Sequence, residues 1–186
     1  MYRYRFSDTE INKLLKENLV IIYDTREQRN EHILKVFDEK GIKYKRQKVD
    51  EGDYIGIITA RPEMGIYRDL YFDVAVERKN SVDELIASIK DADRFEDEFN
   101  RALIKGKKIY LLIEDEDGLH NMKTGNYRSQ YNPKALMGKF DSLSDKYLKG
   151  TIFVNKEDSA EFIYRKLYYS IRNFLKNGKI DLGDEK

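Results

Sequence analysis

Residues 71–89, YFDVAVERKNSVDELIASI, decide how this chain is read. The stretch opens on aromatic and β-branched residues, as a strand does, and then breaks into Glu77, Arg78 and Lys79. Charges at the end of an apolar run are costly to bury unless they are paired or bind a metal. The triplet is therefore either a solvated strand end or the working edge of a site. Ser81 and Glu84 then form a capping box, and Val82, Leu85, Ile86 and Ile89 share one helical face. A strand that hands over directly to a helix is the repeating unit of α/β architecture.

Working outward, the same alternation returns. Ser7 and Glu10 form another capping box ahead of Ile11, Leu14 and Leu15, predicting a helix to about Asn18. LVIIYD, residues 19–24, is a continuous apolar run suited to a strand covered on both faces. A helix is expected from about Asn30, with Ile33, Leu34 and Phe37 on one face and Gly41 as its stop. KYKRQKV suits a strand with one wet face, GDYIGIITA is the next strand, and RPEMGIYRD, with Pro62 and Gly65, is a turn. LYFDVAVE is expected as one strand, and the helix after it as continuing through DADRFEDEFNRALIKG to Gly106. KKIYLLIE, residues 107–114, is the clearest buried strand. Residues 115–132 are polar and are expected as a long loop of the kind that carries function. PKALMGKFDSLSDKY, with Pro133 in its first turn, is a helix, TIFV a short strand, and SAEFIYRKLYYSIRNFLKNG a closing amphipathic helix capped at Gly178. That helix is expected to turn Phe162, Ile163, Leu167, Ile171, Phe174 and Leu175 inward. The pattern predicts an α/β/α sandwich on a central mixed sheet, with residues 1–186 as one domain.

Composition narrows the chemistry. Hydrophobic residues make up 40% of the 186, enough for a core, while 37% are charged against about 25% in an average domain. Thirty-five basic and 34 acidic groups leave a net charge of +1, so nucleic-acid contact has to come from local patches. With no cysteine and two histidines, His32 and His120, disulfides and zinc sites of Cys or His type are excluded. A metal would have to be held by carboxylates, which points to Mg²⁺ or Mn²⁺. No run reaches the ~18 apolar residues of a membrane span and no signal-peptide core is present. The expectation is a cytoplasmic protein with no membrane role.

Three strand ends carry acid: Asp24 after LVIIY, Asp53 before YIGII and Glu77 after FDVAV. Residues i and i+2 of a strand project to one face, so Glu77 and Lys79 point at the same spot. An Asp and a Glu on neighbouring strands can share a hard cation, which polarises a phosphate and acidifies a bound water. Lys79 would orient that water or stabilise developing charge.

The blocks DTRE (24–27), GDY (52–54), DVAVERK (73–79) and SIKDADRFEDE occur in order, and together they resemble the XPF-type endonuclease family. The resemblance covers about residues 19–114. It leaves 115–132 as a polar loop and 133–186 as a C-terminal helical extension. It implies a restriction-endonuclease-like fold and Mg²⁺- or Mn²⁺-dependent cleavage of DNA at branched or single-strand/duplex junctions. By the same resemblance, Asp53 and Glu77 are metal ligands and Lys79 is the catalytic base or water-orienting group. Asp24 and Glu27 are further acids near the metals, Arg78 supports the site or the scissile phosphate, and Asp73 matches a family acid. Arg94 and Phe95 match the family's RF. The family's C-terminal pair of helix–hairpin–helix motifs has no visible counterpart, nor is there room for a helicase region. A stand-alone nuclease of this kind fits a DNA-associated protein encoded by a phage or mobile element.

Plainer roles compete at several positions. Asp24 would also serve as a helix cap and Glu27 as a first-turn acid. Asp83, Glu84, Asp91 and Asp93 suit a solvated helix face, with Asp83 near enough in sequence to support Arg78 or Lys79. For nucleic-acid binding the candidates are the strand KYKRQK and, in the polar loop, Lys123, Tyr127 and Arg128, which offer cations for phosphates and a ring for stacking. His120 reads as an ordinary loop residue. The tyrosine-rich C-terminal helix suits a homodimer contact. The alternative function is a non-catalytic DNA-binding or dimerisation module, although such domains usually lack the acid or lysine retained here. A nuclease acting on RNA or modified DNA is a third reading, since no residue marks a 2′-hydroxyl contact.

Overall fold

The structure is a computed structural model that describes residues 3–178 and 180–181. In chain order the elements are β1 (Arg3–Tyr4), α1 (Asp8–Glu17), β2 (Leu19–Tyr23), α2 (Glu31–Glu39), β3 (Tyr44–Arg46), β4 (Tyr54–Ile58), β5 (Leu70–Tyr71), β6 (Val74–Lys79), α3 (Val82–Lys90), α4 (Ala92–Ile104), β7 (Lys108–Ile113), α5 (Gly118–Thr124), α6 (Pro133–Tyr147), β8 (Leu148–Phe153), α7 (Ser159–Asn177) and β9 (Ile180–Asp181). Short 3₁₀ turns lie at Pro62–Met64 and Lys156–Asp158. The main sheet runs β3-β2-β4-β6-β7-β8, with β5 added to β4. Its β2–β4 and β4–β6 pairs are antiparallel, whereas β2–β3, β6–β7 and β7–β8 are parallel. The expected mixed sheet is present.

Helices cover both faces. On one face α7 packs on β4 and β6 and holds α1 and α2, burying Ile163, Leu167, Ile171 and Leu175 with Ile11, Leu14, Ile33 and Phe37. Phe162 and Phe174 of α7 lie at the margin of that core, half-buried. On the other face α3, α4 and α6 bury Leu85, Ile86, Phe95, Phe99, Leu136 and Phe140 against β6, β7 and β8. Both flanks of β4 and β6 are thus covered, which explains their unbroken burial. The Ser7–Glu10 capping box forms as expected. Among the described residues no helix is long and apolar enough to cross a membrane.

Four expectations are corrected. LYFDVAVE is two strands: residues 70–71 pair with Ile57 and Ile58 of β4, the ladder breaks at Phe72 and Asp73, and residues 74–79 then run between β4, at Tyr54, and β7. The long helix after Ser81 breaks at Asp91 into α3 and α4, and TIFV extends back to Leu148. The segment 115–132 is not an irregular loop. It holds α5, whose Met122 is fully buried and whose Gly118 lies so close to β8 that a Cβ would come within 2.4 Å of the Phe153 ring.

Candidate active site

The site begins with a turn. Gly52 adopts φ +81°, and an added Cβ would lie 2.7 Å from Ala75 Cβ, so the turn presses its backbone onto β6. Asp53 is then fastened on both sides. Its N–H donates to the Val76 carbonyl (2.9 Å), and its own carbonyl accepts from the Asp24 N–H (2.8 Å). Its Oδ2 accepts from the Arg78 backbone N–H at 2.8 Å. The Asp53 carboxylate is therefore carried to the end of β6, beside Glu77 and Lys79.

Alternation along β6 sorts the charged triplet by face. Glu77 and Lys79 turn to the side of α3 and α4, where Lys79 Nζ donates to Glu77 Oε1 at 2.7 Å and lies 5.1 Å from the Phe95 ring centroid. They meet Asp53 in a cavity of about 360 Å³ whose rim includes Arg26, Glu84, Asp91 and Glu98. Arg78 turns to the other side. Its Nε and Nη2 form a fork onto Glu114 at 2.8 Å each, its Nη1 contacts Glu27, and Nη2 also donates to the Arg29 carbonyl at 3.2 Å. His32 Nε2 reaches Glu114 Oε1 at 2.7 Å, tying α2 into this cluster.

Electrostatics differ between the two sides. Around the cavity, Asp53, Glu77, Glu84, Asp91 and Glu98 face two cations, Lys79 and Arg26. Enclosure pushes the Asp53 carboxyl well above the usual carboxylate range, and repulsion from Glu77 and Glu27 adds to this, with Lys79 opposing. Burial raises Glu77 as well; Lys79 offsets part of that rise, while Glu98 and Glu84 add to it. Burial alone would lower Lys79, but Glu77 and Asp53 outweigh it and hold the side chain as an ammonium. As an ammonium it donates hydrogen bonds, and a cation placed on Glu77 and Asp53 would weaken the pairing that holds its proton.

Among the described residues no group of three His, Cys, Asp or Glu side chains is arranged as a ready-made metal cage. The donor set nonetheless fits a hard divalent ion. Mg²⁺ is commonly bound through one or two carboxylates, keeping several waters and taking substrate phosphates for the rest. Asp53 and Glu77 are two such carboxylates, in surroundings with surplus negative charge.

Other expected residues stand elsewhere. Asp24 is fully buried, and its oxygens are occupied: Oδ1 accepts from the Arg26 N–H (2.8 Å) and Nε (2.7 Å), and Oδ2 from the Val49 N–H (2.5 Å). Burial would raise its pKa, yet these donors leave it lowered. In this structure Asp24 holds the 24–26 turn and does not line the cavity, contrary to a metal-ligand role. Glu27 is committed to Arg78, although its charge is felt at Asp53. Asp73 is exposed at the far end of β6, four residues and roughly 13 Å of strand from Glu77. That separation removes it from the metal set. Asp83 supports neither Arg78 nor Lys79; it accepts from the Arg128 N–H at 2.9 Å, and its carboxylate lies 3.7 Å from Arg128 Nε. Tyr127 is no free stacking platform, because its ring packs on the core and its hydroxyl donates to the Tyr131 carbonyl. Lys123 is exposed in the last turn of α5. The side chains of Asp93 and Arg94 lie outside those described.

Arg26, Glu98 and Glu114 were missed. Glu114 carried a readable signal: like Glu77, it is an acid ending an apolar strand, and β6 and β7 are parallel neighbours with Lys79 opposite Ile113. Glu98 carried only its place in the SIKDADRFEDE block, since an acid on an amphipathic helix reads as solvated until the fold brings α4 over Gly52, whose N–H donates to it at 3.3 Å.

The ERCC4 domain family matches residues 23–166, well past Glu114 and into α7. No curated protein sequence matches the chain. Among solved structures, XPF from Aeropyrum pernix aligns with a TM-score of 0.59 at 17% identity, covering 90% of this chain and 67% of that one. XPF from Aeropyrum pernix in complex with DNA aligns with a TM-score of 0.56 at 16% identity, covering 82% of this chain and 65% of that one. The chain spans about two thirds of the length of these structures. It belongs to the ERCC4 domain family, in the restriction-endonuclease-like fold of the XPF nuclease domain.

Proposed function

We propose that the chain is a divalent-metal-dependent DNA endonuclease that hydrolyses phosphodiester bonds at branched or single-strand/duplex junction DNA. The observation that carries this reading is the meeting of Asp53, Glu77 and Lys79 around one cavity with surplus negative charge. Buried acids that repel one another without full compensation mark a site built for work rather than stability. Family membership and a structural relative solved with DNA support the substrate class.

Asp53 and Glu77 would hold Mg²⁺ or Mn²⁺ through carboxylate oxygens, and the bound ion would polarise the phosphate and lower the pKa of a coordinated water. Lys79, whose Nζ lies 2.7 Å from Glu77 Oε1, would orient the attacking water, take its proton or stabilise charge on a phosphate oxygen. Arg78 acts from the opposite face as a positioning residue: its fork onto Glu114 fixes the end of β6, and its contacts with Glu27 and the Arg29 carbonyl hold the 27–29 turn. Gly52 presses the Asp53 turn onto β6.

The test is cleavage of labelled flap, fork, splayed and plain duplex DNA with Mg²⁺ or Mn²⁺, and with EDTA. Cutting is expected with metal on the branched substrates, and to be lost in Glu77→Ala and Lys79→Ala. A parent protein that cuts none of them, or a Glu77→Ala variant that cuts like the parent, overturns the reading.

A further inference from the structure

Beside the acidic cavity runs a second groove of about 540 Å³, and Arg26 lines both. The groove lies between residues 48–51, just before the Asp53 turn, and the end of α4 with its cap, Arg101 and Lys105. Glu51 is almost wholly buried, and its oxygens take Lys105 at 2.6 Å and Lys107 at 3.0 Å. Lys105 is further answered by Asp50 at 3.8 Å. Lys48 and Arg101 are different. Both are exposed on the groove, neither has an ion-pair partner among the described residues, and Arg101 adds repulsion to Lys105. Arg26 stands at the junction with its Nε on Asp24 and its Nη2 on the Val49 carbonyl (3.2 Å), so the guanidinium is held in place while its side chain stays 58% exposed.

Two adjoining depressions thus carry opposite charge, acidic where a cation would gather and basic where Lys48 and Arg101 have no ion-pair partner among the described residues. A phosphodiester chain needs that sequence of surfaces: a metal over the reacting phosphate, then bare cations for its neighbours. We propose that this groove binds the phosphate backbone of the nucleic-acid strand that leaves the acidic cavity, with Lys48 and Arg101 on its phosphates and Arg26 at the crossing point. The proposal rests on the nuclease reading and gives it a strand path.

The experiment measures binding of a short labelled single-stranded DNA in EDTA across a salt series, separately from cleavage in Mg²⁺. Lys48 and Arg101 are exposed and unpaired, so Lys48→Gln/Arg101→Gln is expected to unfold at the parent's temperature. Losing two phosphate contacts on a single strand flattens the slope of log affinity against log salt by about 1.4, which lowers affinity roughly 25-fold at about 0.1 M salt. Cleavage should show a higher KM with kcat unchanged, and Lys13→Gln on α1 should bind with the parent's slope. A double variant with the parent's slope and affinity overturns the groove, as does an equal loss in Lys13→Gln. A flattened slope in a protein that cuts no DNA supports the groove and overturns the nuclease reading, so the two failures are distinguishable.

Discussion

Strand β6 carries two buried charge clusters back to back, and they are built on opposite rules. On the Arg78 side every charge has a partner: a fork onto Glu114, which Arg78 and His32 hold below the usual carboxylate range, and a contact with Glu27, which burial still raises although Arg78 opposes it. On the Glu77 side the acids outnumber the cations, and Asp53 and Glu77 are both pushed toward holding protons. A satisfied buried network positions the chain, and breaking it leaves an uncompensated charge. A network left in deficit invites a ligand of opposite sign. Sequence distance does not separate these roles, since the residues alternate along one strand; the face of the sheet does.

The sharpest way to break the comparison is to exchange the outcomes. Glu77→Gln should lower cleavage by about 10³-fold or more while urea unfolding in EDTA stays near the parent, because it removes one of several mutually repelling acids. Arg78→Met should do the reverse to folding. Removing the cation strands Glu114 and Glu27 in the interior, a loss of about 3–5 kcal/mol on urea unfolding. If Glu77→Gln unfolds the protein and Arg78→Met leaves it intact, the assignment of faces is inverted.

Smaller effects sharpen it. Gly52→Ala has to carry a positive φ and a Cβ against Ala75, an expected loss of about 1–3 kcal/mol with a matching fall in metal-dependent cleavage. Adding Mg²⁺ should raise the unfolding temperature of the parent but not of Asp53→Asn, since only a protein that binds the ion gains from it. Acid should act on the other face. Burial would raise Glu114, but Arg78 and His32 outweigh it and its pKa lies below the ordinary value. Its contribution is therefore full above the unfolded carboxylate value near 4.3 and is lost as pH falls through the lower folded value. Glu114→Gln should flatten that part of the stability profile, which chemical unfolding at stepped acidic pH would measure.

Much was legible in the chain because local physics wrote it there. The capping serines at Ser7 and Ser81, the apolar runs of β2, β6 and β7, and the helical stripes of α3 and α7 each follow from spacing alone. The pairing of Glu77 with Lys79 was also readable, since period two along a strand forces it. Non-local pairing decided the rest. Residues 70–79 could form one strand or two, and pairing splits them: 70–71 lie on Ile57 and Ile58 of β4, while 74–79 lie between β4 and β7. Asp24 and Asp53 look alike as acids at strand ends, yet backbone donors occupy both oxygens of one while the other opens on a cavity. Glu98 and Arg101 lie three residues apart on α4, and only the placement of that helix puts one on the acidic cavity and the other on the basic groove. Sequence spacing sets which face of its own element a residue occupies; what that face meets is settled by how the elements pack.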